Sequence, residues 1–435
     1  MNPRPLHAVL LPPEPGGGRF LDLLSAALDG TGPAILPLDP ALPRTRLAEL
    51  LSVFAPTAIE TPDGTERIAS PGPPSPAAAV AAPAVPTGAA PAGAAPTGVA
   101  PDVAVVVATS GSTGAPKGVQ LSAAALRASA AASLARIGAD PAARPGQRWL
   151  CCLPPFHVAG LQVLVRSMIA GTSPVVTDGV DAATVASCGC AFVSLVPTQL
   201  RRLLDSRAAL SGFDAILLGG AAPPAGLLAQ ARAAGARVIT TYGMSETCGG
   251  CVYDGLPLPG VRLAISDAGL IGISGDVLFS GYRSREPDSP APDSPAPGGP
   301  ALDGDGWFWT ADLGALDGAG RLTVRGRADD VINSGGEKVV PGEVESVLGT
   351  LDGVRDVVIV GVPDSEWGEL VTAVIVPEDP AVPPELARLR AQARERIPGF
   401  AAPRRLILVA EIPLLASGKP DRQALRAAAS QAGRA

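Results

Sequence analysis

From Val103 to Thr241, short β-branched runs alternate with stretches rich in Ala and Leu, and this alternation is the tightest constraint on the fold. Val103–Ala108 has the composition of a buried strand, and Ser122–Ile137 places Leu126, Ala130 and Leu134 at helical spacing. Arg148–Leu153, Ala191–Val196, Ala215–Leu218 and Val238–Thr241 read as strands, with Gln199–Leu204 and Ala225–Ala234 as helices. Such alternation predicts an α/β fold built on a mostly parallel, doubly wound sheet. Beyond Gly326 the pattern changes: a helix over Glu343–Leu351, strands over Val354–Val362 and Leu370–Pro377, and a charged helix over Pro384–Ile397. The predicted organisation is a large N-terminal α/β domain (1–326) and a small α/β C-terminal domain (327–435).

Two stretches lack periodic apolar positions. Ser70–Pro101 is nearly all Ala, Pro, Gly, Val and Thr, and Ser284–Gly306 carries a duplicated Asp-Ser-Pro-Ala-Pro. Proline at this density removes backbone donors, so both are expected to be mobile surface segments. They hold much of the proline in a chain with 51 Gly and 47 Pro, while 47% hydrophobic residues still suffice for a large core. The net charge of −7 argues against a nucleic-acid partner. No long apolar run free of proline and charge predicts a membrane span, and the N-terminus does not read as a secretory signal, so a cytoplasmic protein is expected. The six cysteines, at 151, 152, 188, 190, 248 and 251, lack the paired spacing of a zinc site and read as buried thiols.

Thr109-Ser110-Gly111-Ser112-Thr113-Gly114-Ala-Pro-Lys117-Gly118 directly follows the first of these strands. Exposed backbone N–H groups, hydroxyls and one Lys are the parts of a polyphosphate cradle, here expected in a strand–turn–helix setting. The order of Lys117, after Pro116 and before Gly118, differs from that of a Walker A loop.

This segment resembles the phosphate loop of the adenylate-forming superfamily, and six further segments resemble that family's motifs in order. They are Leu153–Gly160, Leu218–Ala222, Thr241–Glu246, Thr310–Gly314, Arg325–Asp330 with Asn333–Gly336, and Ser417–Arg422. The resemblance runs from Val103 to the end and implies ATP, Mg²⁺ and CoA as reaction partners, with a C-terminal domain that swings between two half-reactions. It implies that Thr109 to Gly114 and Lys117 hold the β- and γ-phosphates, and that Gly219, Gly220 and Ala221 turn beside the adenine. Thr241, Tyr242, Gly243, Met244 and Ser245 would follow, with Tyr242 suited to stack on the base and Glu246 to hold Mg²⁺. Asp312 would accept both ribose hydroxyls, with Arg327 beside the nucleotide, and Lys419 would bridge the substrate carboxylate and the α-phosphate. Asp329 stands where the family has its hinge residue, and Ser334, Gly335 and Gly336 where a loop lines the thiol tunnel. Joining two anions makes positioning and charge neutralisation the main tasks.

The phosphate loop begins early, as in the o-succinylbenzoate–CoA ligases of menaquinone biosynthesis, especially the actinobacterial ones. Leu153–Ser167, Ser194–Leu200 and the extended Tyr242–Gly255 resemble that subgroup. The resemblance implies ATP-dependent ligation of o-succinylbenzoate to CoA through an acyl-adenylate, releasing AMP and pyrophosphate. His157 and Gly160 would shape the acyl pocket. The second carboxylate of the acid needs a donor, for which Arg166, Thr198 and Gln199 are candidates; Arg166 pairing with a local acid or capping a helix is the competing reading. The alternatives are another aryl- or acyl-CoA ligase, or a stand-alone adenylation domain loading a carrier protein. The latter calls for an acidic residue soon after Phe156, and none is convincingly placed. The oligomeric state is left open.

Overall fold

The computed structural model describes residues 3–12, 18–68, 98–110, 116–139, 146–283, 302–415 and 419–432. The N-terminal part begins with β1 (Leu6–Val9), α1 (Gly18–Leu28), β2 (Ala34–Pro37), α2 (Arg44–Phe54), β3 (Ala58–Thr61), β4 (Gly64–Arg67), β5 (Val103–Ser110) and β6 (Pro116–Ser122). Then come α3 (Ala123–Ile137), β7 (Trp149–Cys151), α4 (Val158–Ile169), β8 (Val175–Val176), α5 (Ala182–Ser187), β9 (Phe192–Leu195) and α6 (Pro197–Asp205). After β10 (Ala215–Leu218), α7 (Ala225–Ala233) and β11 (Val238–Met244) run β12 (Gly249–Tyr253) and β13 (Leu256–Pro257). Next are β14 (Arg262–Ile265), β15 (Leu270–Ser274), β16 (Gly281–Arg283), β17 (Phe308–Leu316) and β18 (Leu322–Arg327).

These strands form two seven-stranded sheets, β16-β6-β5-β2-β1-β3-β4 and β13-β12-β11-β10-β9-β7-β8, and a four-stranded sheet, β14-β15-β17-β18. The centre of the second sheet, β9-β10-β11, is parallel as the alternation predicts. The parallel centre of the first, β5-β2-β1-β3, is built mainly on residues 6–61, outside the stretch in which the alternation is read. Both sheets, however, end in antiparallel strands that the helix–strand alternation does not announce, β12 and β13 in one and β6 and β16 in the other.

The C-terminal part holds β19 (Ile332–Ser334), β20 (Glu337–Val339), α8 (Pro341–Leu348), β21 (Val354–Asp364), β22 (Gly368–Pro377), α9 (Leu386–Ala393), β23 (Arg405–Leu408) and α10 (Arg422–Ala432). Its five strands form one sheet, with β21 and β22 a long antiparallel pair. The charged helix is shorter than its expected span of Pro384–Ile397: it starts only after Pro384, and Pro398–Gly399 follow its frayed last turn.

Helices α3 and α4 share the largest hydrophobic core with strands of all three N-terminal sheets. Every residue of α4 from Gly160 to Ser167 is buried, as expected for a helix apolar nearly all round. One core position in it is Arg166. Gly160 in its first turn is required by close approach: a Cβ there would lie 2.3 Å from the Pro154 carbonyl oxygen and 2.4 Å from that of Leu153.

The described ends of the two proline-rich stretches are ordered into the fold, contrary to expectation; their interiors, 69–97 and 284–301, lie outside the described residues. Val99 is buried and bridges to Arg4. Asp303 accepts from the backbone N–H of Asp305 and Trp307 and from Trp309 Nε1, a local turn that holds its carboxyl below the ordinary carboxylate range, chiefly through the Trp307 N–H. All six cysteines are free, and burial pushes the thiols of Cys151, Cys152 and Cys251 up to about 12, so these are packing residues. Among the described residues no helix is long and apolar enough to cross a membrane.

Candidate active site

Lys117 lies on β6, which runs antiparallel to β5 with Thr109 opposite Lys117 and Ser110 opposite Pro116. The described ends of the phosphate segment thus lie on two antiparallel strands and not on a strand followed by a helix. Proline at the start of β6 is compatible with a strand, and α3 begins only after Ser122, whose hydroxyl caps it by accepting from the Ala125 N–H. Gly111 to Gly114 fall outside the described residues. Thr109 Oγ1 donates to the Lys117 carbonyl at 3.3 Å and closes the hairpin at that end.

The hairpin is fixed from behind at Gly118. A Cβ there would meet Val106 Cγ1 at 2.8 Å and Phe54 Cε1 at 2.9 Å. Gly118→Ala must therefore push β6 or the Phe54 ring aside. We expect a stability loss of about 1–3 kcal/mol, the usual cost of overpacking, and a raised KM for ATP, measured by denaturant titration and pyrophosphate release.

Beside the hairpin, Tyr282 of β16 donates its hydroxyl to Glu246 Oε1 at 3.0 Å, and the Lys117 ammonium lies 5.6 Å from the Tyr282 ring centroid. Lys117, Tyr282 and Glu246 thus gather at one place from β6, β16 and the turn after β11. Tyr282 was missed from sequence because it sits just before the second proline-rich stretch, away from any motif. Among the described residues no group of three or more His, Cys, Asp and Glu could hold a metal by itself. A single carboxylate next to a phosphate cradle still fits Mg²⁺, which keeps waters and takes substrate phosphate oxygens as ligands.

The residues expected at the nucleotide form a connected chain of polar contacts. Gly219 to Ala221 form the turn after β10, facing Thr241, whose hydroxyl donates to the Leu218 carbonyl. Gly243 and Met244 end β11, and Ser245 and Glu246 follow in a short 3₁₀ turn. Tyr242 donates to Asp312 Oδ2 at 2.7 Å; burial and then the Asp312 charge raise the phenol well above its ordinary pKa, so it remains a donor. Arg327 reaches Asp312 Oδ1 at 3.5 Å and grips Asp329 with two nitrogens at 2.8 and 2.9 Å. That grip is the main cause of the lowered pKa of Asp329. The ribose candidate and the hinge candidate are therefore two contacts apart.

Lys419 is exposed, while Ser417 and Gly418 before it are not described. Its cation is nevertheless close enough to act on His157. Burial is the first cause of that imidazole's lowered pKa, with Asp39 opposing and Lys419 reinforcing. The charge of Lys419 is thus felt at His157. Ser334, in contrast, is 1% exposed with its hydroxyl unpartnered, and Gly335 lies under the Trp367 ring. Of the proposed tunnel loop, Gly335 and Gly336 remain exposed in this arrangement.

Among the described residues Arg166 pairs with no acid, and its side chain caps no helix. It is 5% exposed; Nη2 donates to Ser194 Oγ at 3.0 Å, Nη1 to Ser133 Oγ at 3.4 Å, and the guanidinium lies 4.3 Å from the Trp149 ring centroid. Ser133 is in turn bonded to the Tyr253 hydroxyl at 2.7 Å. Three further polar atoms nearby in sequence or space are buried without partners: His157 Nε2, Gln162 Oε1 and Trp149 Nε1, alongside Arg166 Nε itself. Burial lowers the Arg166 pKa first, with Tyr253 and Cys151 opposing. Gln199 is occupied locally: Oε1 accepts from the Val196 N–H at 3.1 Å and Nε2 donates to the Cys152 carbonyl at 3.4 Å, which fixes the start of α6 beside half-buried Thr198. Gln162, Ser133, Ser194 and Tyr253 were missed from sequence. The one available signal was Gln162 and Arg166, four apart on an otherwise apolar helix.

Comparison with known proteins identifies the family. The model of the AMP-binding enzyme family matches residues 26–282, and that of the AMP-binding enzyme C-terminal domain matches 343–419. A Mycobacterium tuberculosis protein named "Probable 2-succinylbenzoate--CoA ligase" is 46% identical over 338 residues, covering 74% of this chain and 84% of the relative. The 2-succinylbenzoate–CoA ligase of Listeria monocytogenes is 31% identical, covering 74% and 69%. Among solved structures, the Bacillus subtilis o-succinylbenzoate CoA synthetase in complex with the acyl-adenylate intermediate OSB-AMP superposes with a TM-score of 0.73. It is 26% identical, with 97% of this chain and 88% of that one covered. Escherichia coli MenE, bound to an analogue of OSB-AMS, gives a TM-score of 0.71 at 27% identity, covering 98% and 89%. The chain belongs to the AMP-binding, adenylate-forming enzymes and, within them, to the 2-succinylbenzoate–CoA ligase family.

Proposed function

We propose that the protein ligates o-succinylbenzoate to CoA in menaquinone biosynthesis, in the cytoplasm, through an enzyme-bound acyl-adenylate. The observation that carries the substrate reading is Arg166: a buried cation whose hydrogen-bond partners among the described residues are hydroxyls, with no carboxylate. Burying an unpaired charge is costly, and an aryl carboxylate is the group that would offset it. Ser133, Ser194 and Gln162 would hold that end of the acid, and His157, with Gly160 behind it, the other.

In the first half-reaction the aliphatic carboxylate oxygen attacks the α-phosphorus of ATP, and pyrophosphate leaves. Thr109, Lys117 and the hairpin backbone neutralise the leaving phosphates, Asp312 accepts from the ribose hydroxyls, and Tyr242 fixes Asp312. Mg²⁺, when bound through Glu246, supplies further charge neutralisation at those phosphates. Lys419 stabilises the charge shared by carboxylate and α-phosphate. In the second half-reaction the CoA thiolate attacks the acyl carbon and AMP leaves, after the C-terminal domain has turned about Asp329 and brought Ser334–Gly336 to the thiol path. We place the domain division at 326/327.

Pyrophosphate release with a panel of acids tests the reading. The protein should prefer o-succinylbenzoate over benzoate, succinate and fatty acids by 10²-fold or more in kcat/KM, since a site with buried polar groups strongly rejects analogues that leave them unpaired. A benzoate or fatty acid outcompeting it would refute the substrate.

A further inference from the structure

Helix α6 starts beside the acyl segment and ends against the C-terminal domain. Arg201 and Asp205, four residues apart, present opposite charges on one helix face. Facing them are Arg355 and Asp356 at the start of β21, paired crosswise: Arg201 Nη2 to Asp356 Oδ1 at 3.8 Å and Arg355 Nη2 to Asp205 Oδ2 at 3.5 Å. Neighbouring strand residues ordinarily point to opposite faces. Here Val354 pairs with Pro377 and Asp356 with Val376, so Arg355 is an extra residue, and this bulge re-aims the two side chains. The inner pair is the better shielded, with Arg201 16% and Asp356 32% exposed.

We propose that this crossed quartet is a latch that holds the C-terminal domain in the orientation that delivers Lys419 to the adenylation site, making Arg201, Asp205, Arg355 and Asp356 positioning residues for the first half-reaction. The inference rests on the two-half-reaction scheme above. None of the four is among the residues that hold nucleotide or acid in the scheme above, and the pairs join α6 to β21 in the orientation seen here. When the C-terminal domain turns about Asp329, the pairs part and their four charges return to water. Exposed and half-exposed pairs are individually weak. The latch therefore biases the two orientations by a factor of several and still lets the domain go, as a cycle with two working orientations requires.

The test separates the half-reactions, using whichever acid the wild type adenylates fastest, so that a wrong substrate changes the acid panel and not the ratio between steps. Adenylation is followed as acid-dependent ATP–pyrophosphate exchange, and thioester formation as CoA consumption from supplied acyl-adenylate. R201D and D356R should each slow adenylation about fivefold to tenfold with KM for ATP and acid unchanged, while thioester formation holds or quickens. R201D/D356R restores the attraction and should return adenylation to within about twofold of wild type. Equal loss in both half-reactions, unchanged adenylation in the single variants, or no recovery in the double variant would overturn the latch. If an inner variant does not fold, R355D and D205R/R355D at the more exposed outer pair decide by the same readings.

Discussion

Replacing Lys419 with alanine slows acyl-adenylate formation by about 10²–10³-fold, the usual cost of losing one preorganised donor at a centre of developing charge, while thioester formation from supplied acyl-adenylate is nearly unaffected. The asymmetry follows from where the lysine is held. It is exposed, on a short stretch after β23 whose pairing is local, Leu415 N–H to the Lys419 carbonyl at 2.8 Å, so its removal leaves no buried partner unsatisfied and no cavity. The effect is confined to the reaction in which its charge meets two anions. ATP–pyrophosphate exchange and CoA consumption, measured on the same preparation, check it; equal losses in both would remove Lys419 from the adenylation step.

Replacing Arg166 with leucine moves activity and stability in opposite directions. The guanidinium is enclosed by Trp149, Ser133 and Ser194, and truncating one member of a buried charge pair typically costs about 2–5 kcal/mol of binding. We expect KM for o-succinylbenzoate to rise by at least 10²-fold with KM for ATP little changed. The free protein, relieved of an uncompensated buried charge, should gain about 1–4 kcal/mol, the range seen when buried ionic groups give way to apolar ones. Acid titration of the initial rate and thermal melts without substrate measure the two arms. A destabilised variant that keeps its KM would show that Arg166 serves the core and not the acid.

The residues proposed for the nucleotide could be picked out as candidates because each lies in a contiguous stretch of chain. A loop of small residues ending in Lys117, a carboxylate after a strand at Glu246, and Asp312 two residues from Thr310 can each be read from a few adjacent letters. The acyl side was not legible in this way. The hydroxyls around Arg166 come from α3, β9 and β12, elements separated by dozens of residues, and a Ser in an Ala-rich helix gives no local sign of what it faces. The setting of the phosphate segment was misjudged for a related reason. Pro116 and Gly118 are poor strand formers, and only pairing with β5 on one side and β16 on the other holds them extended. The centre of the second sheet follows from alternation, whereas antiparallel edges depend on long-range pairing that no short window contains.

The complete burial of α4 from Gly160 to Ser167 also bears on how this protein can diverge. A surface helix offers positions where change is nearly neutral, and drift along them supplies starting points for altered specificity. Here none of those eight residues has a solvent face. A substitution that reshapes the proposed acyl pocket must at once be repacked against α3 and the sheet of β7, β9 and β12, and one that improves packing must leave room for the acid. New acid preferences in this lineage are therefore expected to arise through coordinated changes on the strands opposite α4, at Ser194 and around Gly249, more readily than along the helix.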